Sequence, residues 1–279
     1  MKNLDLVILA GGKGSRIKKY LKSYPKPMLK FNKIFFLQYL INNFSKYPFK
    51  RIIILTGYKN KIIFNNFHNK KYNFVKVICL KEKKLLGTGG ALNNLKKIKI
   101  NNFILVNGDT IFDINLKDFI KNLGQKKICH IALAPNNKNL KNYKLNNLNL
   151  KNETVIYQKK GKLMNGGVYF FDKSILHKLQ GRNFSLENNF LPEMINKKKI
   201  SGKLYNDFFL DIGTPKYLKN SENKLKNYFS RPGVFLDRDG VINHDYGYVF
   251  KKKNFKFRKG VLKGLKYLMK KKCYVFIVT

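Results

Sequence analysis

A glycine-rich loop near the start of the chain has the composition of a phosphate-binding site. Residues 9–17, LAGGKGSRI, follow the apolar run LDLVI and combine three glycines with a lysine and an arginine. Glycine lets a backbone approach an anion closely, and amides at the start of a helix attract negative charge. Two common nucleotide motifs do not fit. Ile17 stands where the dinucleotide fingerprint needs its third glycine, and no Gly-Lys-Ser/Thr sequence forms a P-loop.

A lysine between two prolines follows this loop. In YPKPML, Lys26 lies between Pro25 and Pro27. The first proline has a fixed φ, and the second restricts Lys26 to an extended backbone. A cation on a stiff segment suits contact with a phosphate, although a lone lysine is usually a solvated surface charge.

Aspartates stand at or near the ends of several apolar runs. They are Asp109 in VNGDT, Asp211 in FFLDIGTP, and Asp237 and Asp239 in VFLDRDG. Each segment also has a purely structural interpretation. Asn-Gly and Asp-Gly favour turns, and the Thr-Pro after Asp211 suits the first residues of a helix.

The elements that must position these residues follow an α/β pattern, in which short runs rich in Val, Ile and Phe alternate with segments of helical periodicity. We therefore expect a mostly parallel mixed sheet flanked by helices, with ligands at the carboxyl ends of the strands, where the glycine loop lies. The predicted strands are residues 4–10, 51–56, 74–80, 103–107, 128–134 and 167–171, and the predicted helices are residues 35–44, 91–98, 116–123 and 215–228.

A turn signal near residue 230 predicts a domain boundary. Arg-Pro-Gly at residues 231–233 follows the last helix of the first domain, residues 1–230. We expect residues 231–279 to belong to a second α/β domain, with a helix at 260–271 and a strand at 274–278. We interpret the Asn-rich residues 136–152 as a long loop or ragged hairpin within the first domain.

Composition bounds the class of protein. The 279 residues are 44% hydrophobic and can bury a substantial core. The formal charge of +43 suggests nucleic-acid binding, but the lysines are scattered among abundant asparagines instead of forming one basic stripe. No apolar run is long enough for a membrane span, the first residues do not resemble a signal peptide, and the cysteines lack metal-ligand spacing. We therefore expect a cytoplasmic protein with neither a nucleic-acid nor a membrane partner.

The two phosphate-binding segments, AGGKGSR and PKPML, together resemble the signature of the sugar-1-phosphate nucleotidylyltransferases, and the resemblance extends over residues 1–228. It implies a Rossmann-like sheet of the nucleotide-diphospho-sugar transferase type. It also implies a reaction in which an oxygen of a sugar 1-phosphate attacks the α-phosphorus of a nucleoside triphosphate and pyrophosphate leaves. No covalent enzyme intermediate is needed, so catalysis consists of alignment and charge neutralisation.

The same resemblance implies roles for individual residues, carried by EKKLLGTGGAL, VNGDT and MNGGVYFF as well as by the two signature segments. It makes Arg16, Lys26 and Asp109 catalytic, and Asp109 and Asp211 the ligands of Mg²⁺. It implies nucleotide binding by Gly11, Gly12, Gly14, Ser15, Arg16, Lys26, Glu82, Gly87, Thr88 and Gly89, and sugar binding by Gln158, Lys159, Asn165, Gly166 and Glu187.

Two later segments, FSLENNFLPEMI and FFLDIGTPKYL, are similar to the mannose- and manno-heptose-1-phosphate guanylyltransferase branch, which implies GTP as the nucleotide. One departure concerns the sugar. The family usually carries Glu-Lys before the sugar strand, where this chain has Gln158 and Lys159, so an amide replaces a carboxylate. Glu187 also suits the first turn of a helix, where the dipole favours an acid.

The segment VFLDRDGVINHDYGYV resembles the nucleophile motif of haloacid-dehalogenase-type phosphatases, and closely that of the heptose-bisphosphate/histidinol-phosphate branch. The resemblance implies that Asp237 takes the phosphoryl group and that Asp239 acts as acid and base, both near Mg²⁺, with Thr279 as the next motif residue. We expect the chain to be part of a longer bifunctional protein. As given, we expect no phosphatase activity and a poorly stable segment after Gly233.

Two other function classes stay open from the sequence. One is a regulatory protein that binds a nucleotide sugar without catalysis. Such a protein would release no pyrophosphate in an activity assay. The other is a basic nucleic-acid-binding protein, whose affinity would depend steeply on salt. The residue patterns by themselves indicate neither the base, nor the sugar, nor the oligomeric state. The resemblance implies GTP together with D-glycero-D-manno-heptose or mannose 1-phosphate.

Overall fold

The computed structural model describes residues 1–21, 23–121, 123, 128–136, 146–179, 183–271 and 273–279. Its contacts divide the chain into two compact units, Met1–Ser221 and Glu222–Thr279. The strands β1 to β16 are Asp5–Ala10, Lys30–Phe31, Ile34–Phe35, Arg51–Thr56, Lys71–Tyr72, Val75–Lys81, Phe103–Asn107, Thr110–Phe112, Cys129–Pro135, Leu148–Lys151, Thr154–Tyr157, Leu163–Phe171, Ile200–Leu204, Phe209–Asp211, Gly233–Asp237 and Tyr274–Val278.

Helices cover the segments between these strands. The α-helices α1 to α9 are Lys18–Leu21, Phe36–Phe44, Asn60–Phe67, Gly87–Ala91, Leu116–Lys121, Ile175–Lys178, Leu191–Asn196, Pro215–Phe229 and Val261–Lys270. Four short 3-10 helices, found among the residues described, are Ser15–Ile17, Lys26–Met28, Leu92–Lys97 and Lys252–Asn254, and a π-helical turn is Leu186–Phe190. None of the helices in the described ranges is long and apolar enough to cross a membrane.

The first unit is built on one mixed sheet. Its strand order, over the part of the chain described, is β10-β11-β13-β9-β12-β7-β1-β4-β6-β5. Strands β7, β1, β4 and β6 are parallel neighbours, and both β1 and β4 are almost wholly buried. Continuous Val/Ile/Leu runs such as RIIILT are typical of parallel strands covered on both faces. The expected α/β class with a mixed sheet flanked by helices is therefore confirmed.

Strand β12 reverses the direction of the sheet beside the parallel strands. It pairs antiparallel with β7 on one side and with β9 on the other, and its register with β9 shifts between Asn165 and Tyr169. Such a bulge redirects side chains locally. Strand β13 then continues the sheet parallel to β9. The antiparallel strands widen the sheet beyond its parallel centre.

A separate two-stranded sheet joins distant parts of the first unit. Strand β8 follows β7 after a tight turn and pairs antiparallel with β14, with Thr110 opposite Asp211. The backbone amide of Ile212 donates to the carbonyl oxygen of Asp109 at 3.0 Å. These pairings bring the residues after β7 and the residues before α8 to the same place.

Most strands begin and end within a few residues of the predicted bounds, but one predicted helix differs. Residues 91–98 form the end of α4 and then a 3-10 helix, since three glycines at the start of α4 favour a tight, irregular turn. In the Asn-rich segment, strands β10 and β11 form a hairpin, and residues 137–145 lie outside the described residues. The predicted helix 116–123 is observed to Lys121, and residue 122 is also outside the description.

The second unit contains a parallel pair of strands, β15 and β16, joined through α9. Asp237 at the end of β15 lies opposite Val278 at the end of β16. Many apolar side chains of this unit are exposed, among them Phe235 at 70% and Ile277 at 57%. The division after Ser221 falls within α8, and the domain boundary predicted near residue 230 lies just beyond the end of that helix.

Candidate functional site

A cavity of about 460 Å³ lies at the carboxyl ends of the central parallel strands of the first unit. Backbone after β1, β6 and β7 contributes to its wall, as the Rossmann-like pattern predicts. The cavity gathers most of the predicted site residues. Those that line it are Gly11, Gly12, Gly14, Ser15, Arg16, Lys26, Glu82, Gly87, Thr88, Asp109, Asn165, Glu187 and Asp211.

The glycine loop forms one wall of this cavity. Gly14 has a left-handed φ of 66° and precedes the 3-10 helix that carries Ser15 and Arg16. A Cβ at Gly14 would lie 2.9 Å from Leu21 and 3.2 Å from the Cβ of Lys26. At Gly12, by contrast, a Cβ would meet nothing within 4 Å. The loop is thus packed tightly beneath Gly14 and open at Gly12, on a backbone that a bound anion can approach.

Lys26 is buried to 7% exposure in the cavity wall and forms an ion pair with Asp109. The expectation of an extended backbone at Lys26 is wrong, because this residue begins a 3-10 helix and Pro25 is the extended residue. The amides of Met28 and Leu29 donate to the carbonyls of Pro25 and Lys26. These bonds and the burial of Met28 offset the preference against helical backbone before a proline.

Asp109 and Asp211 form a pair of carboxylates linked by one hydroxyl. Thr110 Oγ1 donates to Asp211 Oδ2 at 3.1 Å or to Asp109 Oδ1 at 3.3 Å. Burial, followed by the negative charge of Asp109, raises the pKa of Asp211 to about 6. Burial also acts to raise the pKa of Asp109, but Lys26, and then Arg16, hold it below its usual value.

The carboxylate pair fits a divalent cation that also binds substrate phosphates. No group of three or more His, Cys, Asp or Glu residues suited to a metal occurs within the described residues. Mg²⁺ usually takes one or two carboxylates and completes its shell with phosphate oxygens and water. The buried carboxylate of Asp211 and the half-buried carboxylate of Asp109, which Lys26 neutralises in part, have the donor atoms and the negative charge for such an ion.

Gly213 marks the point where the phosphate-binding groups converge. A Cβ added there would lie 2.6 Å from Asp211 Oδ1, 2.9 Å from Lys26 Nζ and 3.4 Å from Arg16 Nη2. Two cations and a carboxylate therefore surround a position that only glycine can occupy without displacing them. Gly213 lies in the segment FFLDIGTP, and the local sequence pattern predicts no role for it.

Glu82 follows β6 and lies beneath the glycine loop. Its side chain is 7% exposed, and its Oε1 has no hydrogen-bond partner among the described residues. A Cβ at Gly11 would lie 3.0 Å from Glu82 Oε2, and one at Gly57 would lie 2.6 Å from it. Burial raises the pKa of Glu82 to about 7. A buried carboxylate without donors is costly unless a ligand supplies them.

A second wall is formed by the bulged strand β12 and the π-helical turn. Asn165 Nδ2 donates to the hydroxyl of Tyr169 at 2.6 Å, and Asn165 Oδ1 accepts from the amide of Gly167 at 3.0 Å. Burial, and then the charge of Glu187, raise the pKa of Tyr169 well above its usual range. Asn107, for which the sequence pattern predicts only a turn, also lines the cavity, and its Oδ1 has no hydrogen-bond partner within the described structure.

Glu187 is held by two hydroxyl groups from different segments. Thr88 Oγ1 donates to Glu187 Oε2 at 2.7 Å, and Ser185 Oγ donates to the same oxygen at 2.9 Å. The side chain is 9% exposed and lines the cavity. Glu187 does lie in the first turn of a helical segment, which Ser185 caps, so the structural interpretation and the site interpretation both apply.

Gly89 is covered by protein and does not line the cavity. A Cβ at Gly89 would fall into the ring of Phe184, and the amide of Gly89 donates to the carbonyl of Phe184 at 3.1 Å. Gly87 has a φ of 78°, and a Cβ there would lie 2.5 Å from the same carbonyl oxygen. Packing against Phe184 therefore requires glycine at both positions, and the approach of Gly89 to a nucleotide stays a prediction.

The remaining predicted site residues lie outside the cavity wall. Gly166 packs against Phe112 and the backbone of β9, while Gln158 and Lys159 are exposed at the end of β11. Gln158 accepts a hydrogen bond from Asn149. Their sugar-binding roles stay predictions.

Asp237 and Asp239 belong to the second unit, where β15 ends. Arg238 forms a two-pronged ion pair with Asp239, which also accepts from Asn243 Nδ2 at 2.8 Å. These contacts hold the pKa of Asp239 below its usual value. Asn243 is fully buried, and its Oδ1 has no partner among the described residues.

Comparison with known proteins places the first unit in a family. The family model described as Nucleotidyl transferase matches residues 6–227. The D-glycero-alpha-D-manno-heptose 1-phosphate guanylyltransferase of Campylobacter jejuni is 34% identical over 217 residues, which cover 76% of this chain and 96% of that protein. The enzyme with the same name from Aneurinibacillus thermoaerophilus is 31% identical, and the match covers 81% of this chain and 100% of that enzyme.

A solved structure agrees with the sequence relatives. HddC from Yersinia pseudotuberculosis, complexed with GMP-PN, superposes with a TM-score of 0.67 at 29% identity, and the match covers 80% of this chain and 100% of that one.

Proposed function

Since the chain belongs to the nucleotidyl transferase family and is a sugar-1-phosphate nucleotidylyltransferase, we propose that its nucleotide is GTP and that its sugar is a manno-configured heptose or mannose 1-phosphate. The reaction transfers GMP to the sugar phosphate and releases pyrophosphate. The observation that carries the choice of GTP is the buried carboxylate of Glu82, whose Oε1 has no hydrogen-bond partner in the described structure.

Guanine carries hydrogen-bond donors on the base edge that such a carboxylate can bind. Its N1–H and 2-amino group present two adjacent donors, and an ionised carboxylate accepts two hydrogen bonds and donates none. Adenine offers an acceptor at N1, and uracil has one donor between two acceptors. A base without two donors would leave Glu82 partly unpaired in a buried site, which costs about 1–3 kcal/mol. Glu82 therefore selects guanine by the penalty that the other bases incur.

The cavity side chains then supply alignment and charge neutralisation. Arg16 and the amides of the glycine loop hold the β- and γ-phosphates, and Lys26 contacts the phosphates around the reacting centre. Asp109 and Asp211 would hold Mg²⁺, which when bound would neutralise charge on the phosphates. These groups favour the attack of the sugar-phosphate oxygen by reducing repulsion between two polyanions.

The sugar assignment rests on the cavity wall formed by β12 and the π-helical turn. Asn165 and Glu187 line the cavity there, held in place by Tyr169, Thr88 and Ser185. The two relatives named above carry a heptose 1-phosphate in their names. A carboxylate and an amide can together hydrogen-bond neighbouring hydroxyl groups of a sugar.

A substrate matrix tests the proposal directly. Pyrophosphate release is measured with GTP, ATP, UTP, CTP and dTTP against mannose, glucose and manno-heptose 1-phosphates. We expect GTP with a manno-configured sugar to give the highest kcat/KM. Folded protein without activity on any pair would support a regulatory binding protein. A retained, steeply salt-dependent affinity for DNA or RNA would support the nucleic-acid alternative.

The base assignment has its own test. ITP lacks the 2-amino group and should react with a kcat/KM about tenfold lower than that of GTP. In Glu82→Gln, the amide offers one donor and one acceptor, so the preference should move from GTP toward UTP. A variant that keeps the full preference for GTP over ITP and UTP would remove Glu82 from base recognition.

A second function is proposed for the second unit, because Asp237 and the end of β16 meet at the carboxyl edge of a parallel pair. We propose a phosphatase-type site in which Asp237 takes a phosphoryl group and Asp239 serves as acid and base. Mg²⁺-dependent binding of orthovanadate that Asp237→Asn abolishes would support this site. The expectation that this chain does not turn over sugar bisphosphates fails if Asp237-dependent phosphate release is measured.

A further inference from the structure

The segment Gly87–Ala91, which resembles a nucleotide-binding stretch, is bonded to the segment that carries Glu187. The amide of Phe184 donates to the carbonyl of Leu86 at 3.0 Å, and the amide of Gly89 donates back to the carbonyl of Phe184 at 3.1 Å. The ring of Phe184 occupies the space where Gly89 lacks a side chain. The two cavity walls are therefore one hydrogen-bonded and packed assembly at this point.

The hydroxyl of Thr88 both donates and accepts a hydrogen bond in this assembly. It donates to Glu187 Oε2 at 2.7 Å and accepts from the amide of Leu186 at 2.9 Å. A threonine hydroxyl has only one hydrogen to donate. Because that hydrogen is directed at Glu187, the Thr88 side chain is not a donor to the nucleotide, even though Thr88 lines the same cavity.

We propose that Thr88 is a positioning residue for the sugar 1-phosphate: from the nucleotide side of the cavity, its hydroxyl fixes the carboxylate that contacts the sugar. Ser185 supports the same carboxylate from the other side, with an Oγ–Oε2 distance of 2.9 Å. Two donors on Oε2 fix the rotation of the carboxyl group and so direct its other oxygen. The inference rests on the proposed role of Glu187 toward the sugar.

The test compares the effect of a substitution on KM for the sugar 1-phosphate with its effect on KM for GTP. Thr88→Val keeps the shape of the side chain and removes its hydroxyl. We expect KM for the sugar 1-phosphate to rise about tenfold while KM for GTP stays within about twofold, the reverse of what a nucleotide-binding side chain would show. Thr88→Ser, which keeps the hydroxyl, should restore the sugar KM. Ser185→Ala should raise the sugar KM in the same direction.

Controls separate this inference from the function on which it rests. Thr154→Val makes the same change on strand β11, outside the cavity, and should leave both constants unchanged. A rise in KM for GTP alone in Thr88→Val, or no change in either constant, would overturn the positioning role. If Glu187→Gln itself leaves the sugar KM unchanged, the sugar role of Glu187 fails instead. Circular dichroism melting of each variant verifies that it is folded.

A double-mutant comparison gives a second readout. If Thr88 acts only through Glu187, then Thr88→Val in a Glu187→Gln background should add little to the sugar KM. Fully multiplicative effects of the two changes would show that the hydroxyl acts independently of the carboxylate, and would overturn the proposal. The measurement uses the full chain with GTP and mannose 1-phosphate.

Discussion

Replacing Glu82 with glutamine should stabilise the ligand-free protein, and should do so more at pH 8 than at pH 5. The folded protein holds the pKa of Glu82 at about 7 because the carboxyl group is buried, against an ordinary value of 4.5. A carboxylate whose pKa rises on folding destabilises the fold where it must ionise. The penalty is absent below pH 4.5, grows as the pH rises toward 7, and is constant above it.

The size of the effect follows from the two pKa values. Each pH unit between 4.5 and about 7 is worth about 1.4 kcal/mol, so the penalty reaches about 3 kcal/mol at pH 8 and about 1 kcal/mol at pH 5. Glutamine carries no charge, and its own cost of burial does not change with pH. The stability gained by Glu82→Gln should therefore be about 2 kcal/mol greater at pH 8.

Urea unfolding of the full chain, followed by circular dichroism because the chain contains no tryptophan, measures this difference at the two pH values. Glu153→Gln is the matched control, since Glu153 is exposed on the turn between β10 and β11. It should show no comparable gain with pH. An equal effect of Glu82→Gln at both pH values would refute the reasoning, because it would mean that Glu82 ionises as easily in the fold as outside it.

Further predictions concern the phosphate and metal groups. Lys26→Ala or Asp109→Asn should lower kcat by at least about tenfold to hundredfold without unfolding the first unit, and near-normal turnover would remove that residue from the mechanism. Gly213→Ala should impair turnover to a similar degree, because its Cβ would lie 2.9 Å from Lys26 Nζ. A fully active variant would show that the neighbouring side chains can move aside without loss of function. Chelation of divalent ions should abolish pyrophosphate release, and added Mg²⁺ should restore it. In Asp211→Asn, activity should depend less steeply on the Mg²⁺ concentration. Activity that persists in chelator would contradict the metal role.

The local pattern of the chain predicted much of the first unit correctly. Runs such as RIIILT and FILVN gave the parallel strands within a residue or two, since burial on both faces imposes a continuous apolar sequence. The pattern did not predict β8, β13 and β14. These strands are three to five residues long, and their pairing partners are distant in sequence. Short strands leave little periodicity to detect.

The sequence by itself determined the chemistry of the candidate site. The glycine loop, the lysine between prolines and the aspartates after apolar runs are local features, and local features depend only on neighbouring residues. Tertiary structure decided which groups meet. Thr110 and Asp211 are 101 residues apart, and Thr88 and Glu187 are 99 apart, yet each pair shares a hydrogen bond. Such pairs depend on the register of β8 against β14 and on the packing of Phe184 over Gly89, which arise only when the whole core assembles.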